Sequence, residues 1–395
     1  MSKYLIRVAR MFNGTAWSGP SALYMENGRI TKVADINDTD TDTDGPELID
    51  FGPDVCALPG LIDTHVHLAF DASADPVTTL AKVDDDELLE QMRRAASSAL
   101  FAGITAVRDL GDRSYLAVAL GREFDQHPDQ GPHIVSAGPP LTPFGGHCHF
   151  FGGETEGTEA LRTAVRERHE HGCGVVKIML SGGNMTPGSK PPYASQYTMD
   201  DLRTVVEEAH RLGLPVAAHV HGNEAIVEAI EAGVDTLEHV TFLTPEGSDP
   251  NDEVLAAIAG NNVFASLTLG TDPNVPFTPP AALAAQIGRI LEGHRALHVR
   301  GARIVVGTDA GIGPFKPHNV LPHAVAQLLQ LGFSSEEALA AVTAHAAEAS
   351  GLGERKGRLR AGSDADLLVV NGDPARDASA LLDVAGVFRA GVRVR

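Results

Sequence analysis

The chain has 395 residues, 43% of them hydrophobic, with 31 Lys and Arg against 52 Asp and Glu and a formal net charge of −21. That charge repels nucleic acid and anionic lipid, so neither is an expected partner. No stretch approaches the ~18 apolar residues of a membrane span, and Cys56, Cys148 and Cys173 form no CxxC pair or disulfide framework.

The opening segment "MSKYLIRVARMFNG" lacks the apolar core of a secretory leader, and a cytoplasmic location is expected. The next stretches, "KYLIRVARMF" and "SALYMENGRITKVADI", read as strands, the second turning back at Asn27-Gly28. "NDTDTDTDG", Asn37 to Gly45, suggests a calcium loop. Phe51 stands where that loop needs a carboxylate, so the stretch reads as a solvated turn.

From Leu58 onward short apolar runs alternate with longer amphipathic stretches such as "DDELLEQMRRAASSALFAG" and "MDDLRTVVEEAHRLG". The runs are "LPGLIDTHVHL", "ITAVRDLG", "HIVSAG", "VVKIMLSGG", "PVAAHVHG", "TLEHVTF", "NVFASLT" and "RIVVGTDAG". This rhythm predicts an α/β fold, a (β/α)8 TIM barrel over residues 60–352. After further helices the tail returns to strands, "ADLLVVNGDP" and "VAGVFRAGVRV". Residues 1–59 and 353–395 are expected to complete one small β-sandwich.

Chemistry in such barrels sits at the C-terminal ends of the strands. The first run ends with His65 and His67, two apart and therefore on one face. The second ends with Arg108 and Asp109, and the third leads into "PFGGHCHFFGGE" with His147 and His149. His219 and His221 follow the fifth run, His239 the sixth, and Asp309 the eighth. Histidines at runs one, five and six, with an aspartate at run eight, suit zinc or a similar divalent metal. Lys177 interrupts the otherwise apolar "VVKIML". A buried lysine must be neutral, paired or modified. A salt bridge is one reading. The other, favoured by the histidines around it, is a carbamate formed with carbon dioxide, whose two oxygens can bridge two metals.

"PGLIDTHVHL", "VVKIMLSGG", "AAHVHG", "LEHV" and "GTDAG" together resemble the amidohydrolase superfamily over essentially the whole chain. "GITAVRDLG", "GGH" and "VKIMLSGG" are similar to its imidazolonepropionase-related branch, which includes carboxylated-lysine dipeptidases. The resemblance implies two divalent metals, zinc foremost. His65, His67 and Asp309 would hold one, His219 and His239 the other, with carboxylated Lys177 and a hydroxide bridging them. It implies hydrolysis of an amide-type C–N bond in a dipeptide, an N-acyl amino acid or a similar small amide, with Asp309 as proton shuttle. His147 is expected to stabilise the carbonyl oxygen. His221 stands where related dipeptidases often carry a Tyr that meets the substrate carboxylate; here His221 would take that substrate-binding role, which weakens the case for a peptide.

Arg108 is read either as pairing an anionic substrate or as a structural ion pair. Tyr193 and Tyr197 belong to the long loop "SGGNMTPGSKPPYASQYT", read as a lid or pocket wall. His318 and Asn319 are further candidates for lining the site, whereas His149, His323 and His345 read as surface or helix residues. The alternatives are a one-metal cyclic-amide hydrolase or deaminase, and a barrel without catalysis. Homo-oligomers are common among such barrels, so one is a reasonable expectation.

Overall fold

A computed structural model describes residues 3–38, 46–279 and 281–395. The acidic turn read at Asn37–Gly45 therefore falls, beyond Asp38, outside the described residues.

Eight short strands carry the middle of the chain: β1 Leu61–Val66, β2 Ile104–Asp109, β3 His133–Ser136, β4 Val176–Met179, β5 Val216–Gly222, β6 Thr236–Thr244, β7 Phe264–Leu267 and β8 Arg303–Val306. They coincide with the eight apolar runs. β1, β2 and β3 pair in parallel, and so do β4 through β8 in chain order. Single parallel bridges, Leu141 with Ile178 and Val66 with Ala310, join the two sheets at both seams. The result is a TIM-barrel-like α/β fold. Parallel strands covered on both faces need apolar residues throughout, which explains why β1, β2 and β4 are buried along their whole length.

Some helices start where the sequence supplies both an apolar stripe and a side-chain cap. Asp84 caps Asp85–Phe101 by accepting from the Glu87 amide. Thr198 and Asp201 make a reciprocal capping box at the start of Met199–Arg211. No described helix is long and apolar enough to cross a membrane.

The two chain ends build two further sheets. One contains, in spatial order, Arg29–Asp35, Ser21–Glu26, Lys3–Val8 and Glu47–Asp50. The hairpin expected at Asn27-Gly28 is present, with φ of 53° and 78° at the two residues, the left-handed pair that a tight turn needs. The other sheet places Val55–Pro59 antiparallel to Leu367–Asn371 and so ties the N-terminal part to the tail. Ile6, Leu23, Val55, Leu367 and Phe388 share one apolar cluster that spans both sheets.

Register prepares the site. Met179 pairs with His219, His219 with Glu238, and Glu238 with Ser266, one level row across four strands.

Candidate active site and metal centre

The strand ends open into a cavity of about 650 Å³ lined by His65, His67, His147, Lys177, His219, His221, His239 and Asp309. Two groups within it have metal-ligand geometry. In the first, His65 Nε2 and His67 Nε2 are 3.3 Å apart. Asp309 Oδ1 stands 3.7 Å and 3.4 Å from those two nitrogens. The outer ring nitrogens fix the tautomers. His67 Nδ1 donates to the Gly111 carbonyl at 3.2 Å, and a carbonyl can only accept. His65 Nδ1 lies 3.0 Å from Glu238 Oε2, and donates to it. Both Nε2 atoms therefore present lone pairs to each other and to a carboxylate. That arrangement is repulsive until a cation sits among them.

The second group is His219, His221 and His239. His219 Nε2 donates to the Gly182 carbonyl at 3.1 Å, which leaves a lone pair on Nδ1, 2.9 Å from His239 Nε2. His239 Nδ1 meets Thr268 Oγ1 and His221 Nδ1 meets Thr241 Oγ1, each at 2.8 Å. Burial pushes His221 down to about 3 and His67 and His147 to about 4, with Lys177 adding to each shift. Neutral imidazole is the form that binds metals. Burial also raises Asp309 to about 6, against the pull of Lys316 and Lys177.

The backbone is strained where it delivers these groups. His239 and Asp309 have φ of 76° and 59°, a left-handed region that costs non-glycine residues about 1–3 kcal/mol. The Asp309 amide donates to the His65 carbonyl at 2.7 Å and so holds the two candidate ligands together. Gly307 is needed for close approach, because a Cβ there would come within 2.3 Å of the His65 Cβ.

Lys177 is fully buried, and its Nζ has no hydrogen-bond partner. Burial pushes it down to about 8, offset in part by Glu238 and Asp309. The salt-bridged reading of this lysine is not what the structure shows. His147 Nδ1 is likewise buried without a partner, and its ring lies 4.6 Å from that of His219. An orphaned amine and an orphaned imidazole beside the His65–His67–Asp309 lone pairs and the His219–His221–His239 group fit a metal site with groups still to be supplied.

Several sequence candidates are not brought into the cavity. The buried Arg108 guanidinium donates to Glu238 Oε1 at 2.7 Å, the Thr64 carbonyl at 2.7 Å, the Ala349 carbonyl at 3.1 Å and Thr236 Oγ1 at 3.2 Å. These bonds use four of its five N–H donors in the ion-pair role, and the side chain is fully buried outside the cavity lining. Tyr193 is exposed and outside the cavity lining. The Tyr197 hydroxyl donates to the Thr155 carbonyl at 2.9 Å. The loop that carries both tyrosines contributes Asn184 and Met185 to the cavity instead. Asn319 and His323 lie in a separate cleft with Phe101 and Leu382. His318 Nε2 donates to the His67 carbonyl at 3.0 Å, which steadies that candidate ligand from behind.

Glu238, Lys316 and His294 escaped the sequence reading. Glu238 joins His65 to Arg108 and is fully buried. A charged residue inside "TLEHVTF" is the signal that singled out Lys177, and it would have found Glu238 too. Lys316 follows β8 in an irregular segment, and His294 sits on a helix, where no strand-end logic reaches.

A family model described as "Amidohydrolase family" matches residues 56–394. The ochratoxinase of Aspergillus niger is 28% identical over 355 residues, covering 81% of this chain and 71% of its own length. The N-substituted formamide deformylase of Arthrobacter pascens is 25% identical over 343 residues, covering 78% of this chain and 60% of that protein. A crystal structure of a Xaa-Pro dipeptidase with bound methionine superposes with a TM-score of 0.86 at 25% identity, covering 99% of both chains. The chain belongs to the amidohydrolase family and is a hydrolase acting on C–N bonds.

Proposed function

We propose that the protein hydrolyses the amide bond of a small molecule with two divalent metal ions, zinc foremost. His65, His67 and Asp309 would hold one ion, and His219 and His239 the other. Lys177 would bridge them as a carbamate. The observation that carries this reading is the Lys177 amine, buried without a partner in a cavity that also holds two groups of His and Asp side chains able to take a metal ion. Its depressed pKa favours the free amine, the form that adds to carbon dioxide.

When bound, the metals acidify water and polarise a carbonyl. The side chains supply the rest. Asp309 accepts the proton of the attacking water at its carboxylate and passes it to the leaving nitrogen. His147 faces the cavity with an unused ring nitrogen, suited to the carbonyl oxygen as it gains charge. Glu238 holds the His65 tautomer, and Arg108 holds Glu238. On this reading the strands close as a (β/α)8 barrel over residues 60–352, residues 1–59 with 353–395 form one β-sandwich, and the enzyme works in the cytoplasm. The relatives named above act on amide-like bonds according to the names deformylase and dipeptidase, which supports the reaction class.

The test is metal analysis of the purified protein together with turnover of an amide panel, with metal and bicarbonate supplied. Two ions per chain and turnover that disappears in Lys177→Ala are expected. One ion per chain, with activity indifferent to Lys177, overturns the two-metal reading in favour of a one-metal cyclic-amide hydrolase or deaminase.

A further inference from the structure

The cavity has two unlike halves. The histidines and Asp309 form one. The other is built by the helix Ile287–Val299 and the segments around Phe277 and Phe315. Ile287, Ile290, Leu291 and His294 line the cavity at i, i+3, i+4 and i+7, one face of that helix. Opposing aromatic surface comes from Phe277, which stacks on Phe315 with ring centroids 3.7 Å apart and 21° between planes. Phe277 is 43% exposed, Leu283 41% and Ile287 36%, and all three line the cavity. Apolar surface gathered at the edge of a pocket marks a place where an apolar group is buried on binding.

Charge complementarity points the same way. Among the described residues, the lysines and arginines lining the cavity are Lys177, Lys316 and Arg295. Lys177 is taken up by the metal centre. The Lys316 ammonium is spent on three carbonyls, those of Thr308 at 2.5 Å, Gly270 at 3.0 Å and Leu269 at 3.5 Å. Arg295 is exposed and reaches the Gln330 carbonyl at 3.4 Å. Among the described residues, the lining cation with N–H donors to spare is therefore Arg295, and it belongs to the helix of the apolar half, not to the strand ends that carry the proposed metal ligands.

We infer that the substrate is an amide carrying a large apolar group, aromatic or branched aliphatic, with no carboxylate next to the scissile bond. This rests on the amide-hydrolase reading above and narrows it. The volume of about 650 Å³ is ample for such a molecule and far exceeds what a glycyl dipeptide fills.

The experiment measures kcat/KM for the anilides of acetic, butyric, hexanoic and 2-naphthoic acids, with N-hexanoylglycine and glycyl dipeptides alongside. Binding of the same compounds is measured separately by titration calorimetry. Activity and affinity are expected to rise along the anilides by up to about fourfold per methylene, the equivalent of about 0.8 kcal/mol. Ile287→Asp, at an exposed position, is expected to flatten both gradients. Turnover that is level along the series, or fastest for the acids, overturns the inference and leaves amide hydrolysis standing. No turnover of any compound, with the binding gradient intact, overturns the reaction instead and leaves the apolar site standing. Absence of a binding gradient overturns the inference whatever the turnover.

Discussion

Two buried lysines line the same cavity, and only one has partners. Burial pushes Lys177 and Lys316 alike down to about 8. Lys316 donates to three backbone carbonyls drawn from the ends of β7 and β8. Lys177, inside β4, donates to nothing. Desolvating an amine without hydrogen bonds costs several kcal/mol. A fold that meets this cost at one lysine and leaves it unmet at another, a short distance along the same wall, assigns them different work. Lys316 ties loops together, whereas Lys177 is left with no structural bond and is open to the role proposed for it above.

The strongest way to break that contrast is Lys177→Met, which keeps length and removes the amine. Loss of metal-centred charge stabilisation worth several kcal/mol predicts a fall in kcat/KM of roughly 10³-fold or more. Metal content is expected to drop below two ions per chain by elemental analysis. The denaturant midpoint should stay level or rise, because an unpaired buried amine is replaced by apolar volume. Lys177→Ala should regain part of its activity in acetate or propionate, since a small carboxylate fits the vacated space. A variant of wild-type activity would return Lys177 to the same standing as Lys316.

Next in size is Glu238→Gln. Glu238 accepts from His65 Nδ1 and from Arg108 at once. An amide can offer only one acceptor oxygen, so the His65 tautomer and the Arg108 charge cannot both be satisfied. Metal affinity is expected to fall about 10–100-fold, read by competition with a chelating dye. Leaving Arg108 without its charge partner should also cost about 3–5 kcal/mol of stability in urea.

These two positions also show what the sequence makes legible. The alternation of strand side chains marks a polar residue against an apolar run, and β1, β4, β5, β6 and β8 are short runs with such marks within them or just past their ends. His65, His67, Lys177, His219, His239 and Asp309 were readable for that reason, and all line one cavity. Glu238 carries the same mark, but in "TLEHVTF" it stands directly beside His239, so sequence alone does not separate its role from that of its neighbour. The loop after β4 has no period. Its length announced a wall, yet nothing local indicated that Asn184 and Met185 would face inward rather than Tyr193 and Tyr197. Arg108 was undecidable from sequence because its partner Glu238 lies 130 positions away. The terminal strands were recognisable one by one, but pairing Val55–Pro59 with Leu367–Asn371 depends on contacts across more than 300 residues.

Lys316→Met sharpens the other side of the contrast. Removing the ammonium leaves the Gly270 and Thr308 carbonyls short of a donor, while relieving the cost of a buried charge. A net loss of about 2–3 kcal/mol is expected in denaturant unfolding. Metal stoichiometry should stay at two, and kcat should change far less than in Lys177→Met. If Lys316→Met instead emptied the metal site at unchanged stability, the division of labour between the two lysines would be reversed.

The smallest effect belongs to Tyr197, which tests whether the cavity wall has been drawn in the right place. Its ring is buried and its hydroxyl donates to the Thr155 carbonyl at 2.9 Å. Tyr197→Phe removes that one hydrogen bond and keeps the ring, so the expected cost is about 1 kcal/mol in the unfolding free energy. Because the hydroxyl is committed to the backbone outside the cavity lining, KM for any turned-over amide should be unchanged. A hydroxyl that touched substrate would give the opposite pattern, with KM raised and stability untouched. Measuring both quantities on one variant therefore separates a residue that supports the loop from one that reads the ligand. An unchanged KM would leave Asn184 and Met185 as the side chains through which this loop meets the cavity.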